Sequence, residues 1–445
     1  MLVVFQLGKA TFRRMGIGNL EAPELEWAGY ALAGSTLLYI GLIALSALGI
    51  LWSWGLVVVP VILWPMVRRS GALLRQLKTF TTRCKSRIST GPLHLLRPER
   101  NLGDVVALAT FLVHVAVTAQ LWNVHSDFVY HWGLKSLHFF HHGGIDFEFL
   151  AQPWNRHLHP EYPNLLPSLS ALSAIWGQSF SMPLILNGSS LHLLIAILIV
   201  RGALRRHVND ARIQNLGLAF IALSCTMFSI GFRQAGGADW LMVLALLFGT
   251  VVLLESSSGA GVYGLGGIIA AFALASKVEG LPLALALIGI VSLRRLTARP
   301  LRAPEPRPFA SLLFLPLTVG LIQHTLVQWH GLAAQRHFYN FLQDPDRVLA
   351  VAGAIWNSLG IVTWNGMAFG LCLLPLLLLR KKTWAAALLI SSQFCFYVFI
   401  YLTATEPGHL IATSAPRLWF HLVPATWLLI FISLDHGDSS TARLP

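Results

Sequence analysis

The chain has 445 residues, 55% of them hydrophobic and 11% charged, with a mean hydropathy of +0.64. That is too apolar for a soluble domain of this length, and repeated runs near the ~20 residues needed to cross a bilayer indicate an all-α polytopic membrane protein. The formal net charge of +13 invites a nucleic-acid reading, which the placement of the charges excludes.

Twelve transmembrane spans are expected, over residues 27–48, 50–67, 102–121, 182–200, 213–231, 238–254, 261–275, 280–293, 309–328, 363–379, 384–402 and 418–434. Assigning the connecting segments alternately to two sides puts 25 basic residues on one side and seven on the other. The positive-inside rule makes the basic side cytoplasmic, so both termini are expected inside and the basic excess reports topology. The chain is expected to divide into three units: residues 1–101, a transmembrane hairpin with a basic cytoplasmic linker; 102–435, a transmembrane module with an outer loop at 122–181; and a cytoplasmic tail at 436–445. The hairpin carries almost no polar groups and reads as scaffold, and its linker reads as a face on the anionic inner leaflet. No cleavable leader pattern opens the chain. Cys84, Cys225, Cys372 and Cys395 have neither metal nor disulfide spacing.

Residues 127–167 form the longest polar interruption after an apolar span, with four of the nineteen acids and six of the seventeen histidines. Asp127, His131, Lys135, His138 and His142 share one helical face, with Val129, Trp132, Ser136 and Phe140 opposite, the pattern of an amphipathic interfacial helix. His142-Gly143-Gly144 should stop that helix, and the three prolines of HPEYPNLLP should fix an extended turn presenting Glu161 and Tyr162. Arg233 and Asp239 in FRQAGGAD, Lys277 and Glu279 in SKVEG, and Arg417 in TATEPGHLIATSAPR fall on the same outer side. Charges kept at the edge of hydrocarbon are candidates for function. For each taken alone, a helix cap at Asp127, a surface acid at Glu161 or a local Lys277–Glu279 ion pair is the plainer explanation. The G-x-G-x-x-G match at 259–264 enters a transmembrane helix with no preceding strand, so it reads as small-residue helix packing.

SDFVYHWGLKSL followed by HPEYPNLLPSL resembles the first outer loop of GT-C-fold glycosyltransferases that use polyprenyl-phosphate sugars. This superfamily includes the protein O-mannosyltransferases and the bacterial lipid A aminoarabinose transferases. GGADWLMVLALLF, LASKVEGLPLALAL and HLIATSAPRLWFHLVPA agree in order, so the likeness spans much of 127–425. The resemblance implies an enzyme of the bacterial inner membrane. It would move a sugar from a polyprenyl-phosphate donor to an acceptor on the outer face, with inversion. It places the general base at Asp127, a second acid at Glu161, and the donor phosphate at Lys277 and Arg417, with Arg233 as a third cation. His131, Lys135, His159, Tyr162, Asp239 and Glu279 complete the expected substrate-binding set. A carboxylate to take the acceptor proton and cations for the leaving phosphate are what this chemistry needs.

Two features depart from the family pattern. Ser126 and Phe128 flank Asp127, where protein O-mannosyltransferases have adjacent acids, and no sizeable soluble domain follows the last span. Both favour a glycan or lipid acceptor over a protein. A divalent ion on Asp127, His131, His157 and His159 is a further possibility, with hydrogen-bonding histidines as the plainer one. The competing readings are a twelve-span secondary transporter, which should show two related halves, and a non-catalytic relative of the transferases.

Overall fold

The computed structural model describes residues 2–15, 17, 20, 22–53, 98–121, 124–226, 234–255, 260–298, 306–333, 344–362 and 367–435. The described chain is almost entirely helical, without a strand, as expected. Six stretches are long and apolar enough to cross a membrane: Pro23–Ala47, Leu102–Ala119, Met182–His207, Ala310–Trp329, Trp384–Thr403 and Pro407–Leu434. Leu165–Gly177, Asp239–Leu254 and Gly261–Ser276 are apolar but shorter. The expected span at 50–67 lies outside the described residues beyond 53, as do most of the basic linker and the tail from 436.

The N-terminal helix α1 (Leu2–Arg14) lies outside the expected spans and folds back along α2 (Pro23–Ala47), with Phe12 against Gly29 and Val4 beside Gly34. After α3 (Pro98–Ala119) comes a five-residue π-helical turn, Phe128–Trp132, continued by α4 (Gly133–His142). The stop falls where expected, at Gly143 with φ +75°. Two short helices, α5 (Phe147–Ala151) and a 3-10 turn (Pro153–Leu158), lead to the His159–Tyr162 turn and then α6 (Leu165–Gly177).

The bundle continues through α7 (Met182–Leu186), α8 (Gly188–His207), α9 (Ala211–Ser224) and α10 (Asp239–Leu254). Every residue of α10 is buried, so its all-round apolar surface marks the centre of the bundle, packed by α8, α11, α16 and α17. Helices α11 (Ala260–Ser276), α12 (Gly280–Ala298) and α13 (Pro306–Trp329) form one flank. Gly264 of α11 lies against Ile17, which is not in a helix; the close helix approach made by α11 is instead at Gly267, on the backbone of Ser311 and Leu312 of α13. The last four helices are α14 (Pro345–Val362), α15 (Met367–Leu378), α16 (Trp384–Thr403) and α17 (Pro407–Leu434). α17 starts at Pro407 and not at 418, so Arg417 sits within a helix and not in a loop.

Polar contacts gather at the two ends of the helices. At one end, Glu24 of α2 accepts from Arg201 and Arg205 of α8, and Asp104 of α3 accepts two bonds from Arg201. The opposite end carries the site.

Candidate functional site

Two loops are first brought into register. Val124 bridges to Ala235, and the His125 N–H donates to the Ala235 carbonyl at 3.2 Å. Gly236, at φ +79°, lies on the Phe128 ring, where a Cβ would come within 2.4 Å, so only glycine allows this approach. The loop carrying Asp127 is thereby set beside Asp239, the first residue of α10.

Asp127 makes no side-chain helix cap. Its Oδ2 instead accepts from Arg417 Nη1, 290 residues later, and its N–H donates to His125 Nδ1 at 3.0 Å. Asp239, 0% exposed, accepts on Oδ1 from Lys277 Nζ and from His421 Nε2, both at 2.8 Å. A carboxylate only accepts, so His421 carries its proton on Nε2, and its Nδ1 accepts from the Tyr397 hydroxyl at 2.6 Å. Lys277 also lies 3.6 Å from Glu279, so the local pair exists but is the weaker of its two contacts. α17 presents Arg417 and His421 one turn apart, each reading a different acid. His125, Tyr397 and His421 were missed from sequence. His421 carries one usable signal, its i, i+4 spacing from Arg417.

Beside this cluster lies a cavity of about 1270 Å³. Glu161, His159, Tyr162, Lys277, Glu279 and Arg417 line it together, and Phe396, Phe399, Ile400, Leu410 and Leu418 of α16 and α17 supply its apolar wall. Asp127 and Asp239 are not on the wall; each sits one contact behind a cation that is. Arg233 lies outside the described residues.

Besides Asp239, two more expected substrate contacts are placed elsewhere. Lys135 is fully buried and donates to the His159 carbonyl at 2.8 Å and to Asn164 Oδ1 at 3.3 Å, so it is absent from the cavity wall and from the expected polar stripe. His131 packs edge-on to His159, with ring centroids 4.8 Å apart, and is likewise off the wall. His159 packs in turn on Tyr162 at 4.8 Å.

Burial lowers the pKa of His125, which keeps it neutral, against the pull of Asp239 and Asp127. For Lys277 burial also works against the charge, but Asp239 and then Glu279 overcome it and raise its pKa above the ordinary value. The residues that fit a divalent ion are His125, Asp127 and Asp239, whose ligand atoms lie within 4.8 Å of one another. The buried Oδ2 of Asp239 has no hydrogen-bond partner and supplies an uncommitted ligand atom. This differs from the expected set: His157 Nδ1 is 2.8 Å from the Trp154 carbonyl, and His131 and His159 pack on each other.

No family model, curated protein or solved structure matches this chain.

Proposed function

We propose that the protein is an integral membrane glycosyltransferase of GT-C type, with about twelve spans, taking its sugar from a polyprenyl-phosphate donor at the outer face of a bacterial inner membrane. One observation carries this reading: the cations Lys277 and Arg417, with Arg156, share a large cavity with an apolar wall built by two helices long enough to span a bilayer. An amphiphilic anion, with a phosphate head and an isoprenoid tail, matches that combination.

In this reading the donor phosphate takes the cations and the tail lies along Phe396, Phe399 and Ile400. Arg417 then shares its charge between Asp127 and the phosphate, which makes the Asp127 carboxylate more basic when donor is bound. The acceptor hydroxyl attacks the anomeric carbon from the face opposite the phosphate. The new C–O bond forms as the bond to the phosphate oxygen breaks, its electron pair leaves with the polyprenyl phosphate, and the hydroxyl proton passes to Asp127 once Arg417, which stands between that carboxylate and the cavity, has turned to the phosphate. Glu161, Tyr162 and His159 on the wall orient the sugar or a glycan or lipid acceptor. A divalent ion held by His125, Asp127 and Asp239 would supply positive charge near the site and would take up the Asp127 carboxylate while bound, so the ion and the base role of Asp127 are alternatives.

The test is Asp127→Asn in the purified full chain, assayed for transfer from a polyprenyl-phosphate hexose to a membrane glycan and lipid extract. Loss of at least about a hundredfold in turnover, with the protein still folded, is the expected result. Wild-type turnover in the variant removes Asp127 as the base.

A further inference from the structure

Glu161 lies in a turn whose shape is imposed from elsewhere in the chain. His159 sits at φ +51°, a left-handed conformation that is costly for a residue with a side chain. Its carbonyl accepts from the Tyr162 N–H at 3.0 Å and from Lys135 Nζ at 2.8 Å, so both oxygen lone pairs are engaged. Lys135 Nζ reaches on to Asn164 Oδ1 at 3.3 Å, and the Asn164 N–H donates to the Tyr39 hydroxyl at 2.8 Å.

Tyr39 belongs to α2, from the N-terminal unit that reads from sequence as scaffold. Tyr39, Lys135 and Asn164 are 2%, 0% and 7% exposed, so no water competes for these bonds. Burial pulls the Lys135 amine down to about 7, opposed by the Glu161 charge. Lys135 Nζ donates to two neutral acceptors and lies 5.2 Å from the Trp132 ring centroid. The knot therefore joins α2, α4, the His159–Tyr162 turn and the start of α6 through satisfied, buried hydrogen bonds.

We propose that Tyr39, Lys135 and Asn164 are positioning residues, which fix the backbone of residues 159–162, hold Glu161 at the cavity wall, and make α2 part of the working unit. What Glu161 then does rests on the glycosyltransferase reading; where it is held does not.

The experiment compares wild type, Tyr39→Phe and Lys135→Met, each as the full chain in lipid nanodiscs. Amide hydrogen exchange and steady-state sugar transfer are measured on the same samples. Two variants acting on one knot guard against a single folding failure. Exchange at the Tyr162 and Asn164 amides should accelerate about five- to tenfold in both, as the loss of one net hydrogen bond implies, while α10 amides stay protected. Turnover should fall with donor KM unchanged, because the phosphate cations are untouched. Unchanged exchange in both variants, or exchange accelerated equally throughout the bundle, overturns the proposal, and so does accelerated turn exchange with wild-type turnover. If wild type transfers no sugar, the glycosyltransferase reading fails, and the exchange pattern alone decides whether the knot holds the turn.

Discussion

An Asp239→Asn substitution removes one negative charge from a position that is 0% exposed while keeping the side-chain volume. Lys277, 4% exposed, then loses a carboxylate oxygen at 2.8 Å and keeps Glu279 at 3.6 Å. Removing one partner of a buried ion pair costs ~3–5 kcal/mol, because the other charge is left uncompensated. Glu279 and the amide oxygen of asparagine, which still accepts from Lys277 or His421, reduce this to roughly 2–3 kcal/mol. At ~1.4 kcal/mol per decade the unfolding equilibrium shifts about 30- to 140-fold. SDS titration of the detergent-solubilised full chain, followed by tryptophan fluorescence, measures the shift. Adding Lys277→Met removes the stranded cation as well, and the double variant should recover at least about half of the loss. A single variant within about 0.5 kcal/mol of wild type, or a double variant no better than the single, refutes the assigned pairing.

The same contacts set three more outcomes. Tyr397→Phe leaves the buried Nδ1 of His421 without its donor and should cost ~1–3 kcal/mol in the same titration. Lys135 has a native pKa near 7 against an ordinary value of 10.5, so the unfolded chain binds the extra proton between those limits. Wild-type stability should therefore rise with pH across that window relative to Lys135→Met, and a flat difference would contradict an amine whose pKa is lowered by burial. Mn²⁺ titrated into the purified chain and followed by electron paramagnetic resonance should bind at one site in wild type and lose that site in Asp239→Asn. Equal binding in both places the ion elsewhere.

The apolar runs made the helices legible in the sequence, because a bilayer leaves few other solutions. Their limits were less so. The TATEPGHLIATSAPR stretch falls before the span expected at 418–434 and so reads as an outer segment. Yet Pro407 sits in the first turn of α17, where its missing N–H costs nothing, and Pro416 is accommodated inside that helix. The Lys135 misplacement has a different cause. A helical wheel assumes one continuous α-helix from Asp127, whereas the π-helical turn at Phe128–Trp132 adds a residue and rotates α4 by about 100°. Asp127 and Lys135 consequently face different surroundings.

Glu161, Lys277 and Arg417 share a cavity, whereas Asp127, expected on it with them, lies behind Arg417 and off the wall. Their pairing was not readable. Lys277 chooses Asp239, 38 residues away, over its neighbour Glu279, and Arg417 chooses Asp127 across 290 residues. Such choices depend on where the loop bridge at Val124 and Ala235 brings the acids, and no local pattern encodes that.

A lipid-linked phosphate is the proposed occupant of this cavity. Binding of a fluorescent polyprenyl phosphate to the full chain in nanodiscs tests it most directly, with a short-chain phosphate as the control. Wild type should bind the polyprenyl compound saturably, Lys277→Ala and Arg417→Ala should each weaken it about tenfold or more, and the short-chain phosphate should bind far less well. Absence of saturable binding would exclude a lipid-linked phosphate from this cavity, and affinity unchanged in both variants would remove Lys277 and Arg417 as its phosphate cations.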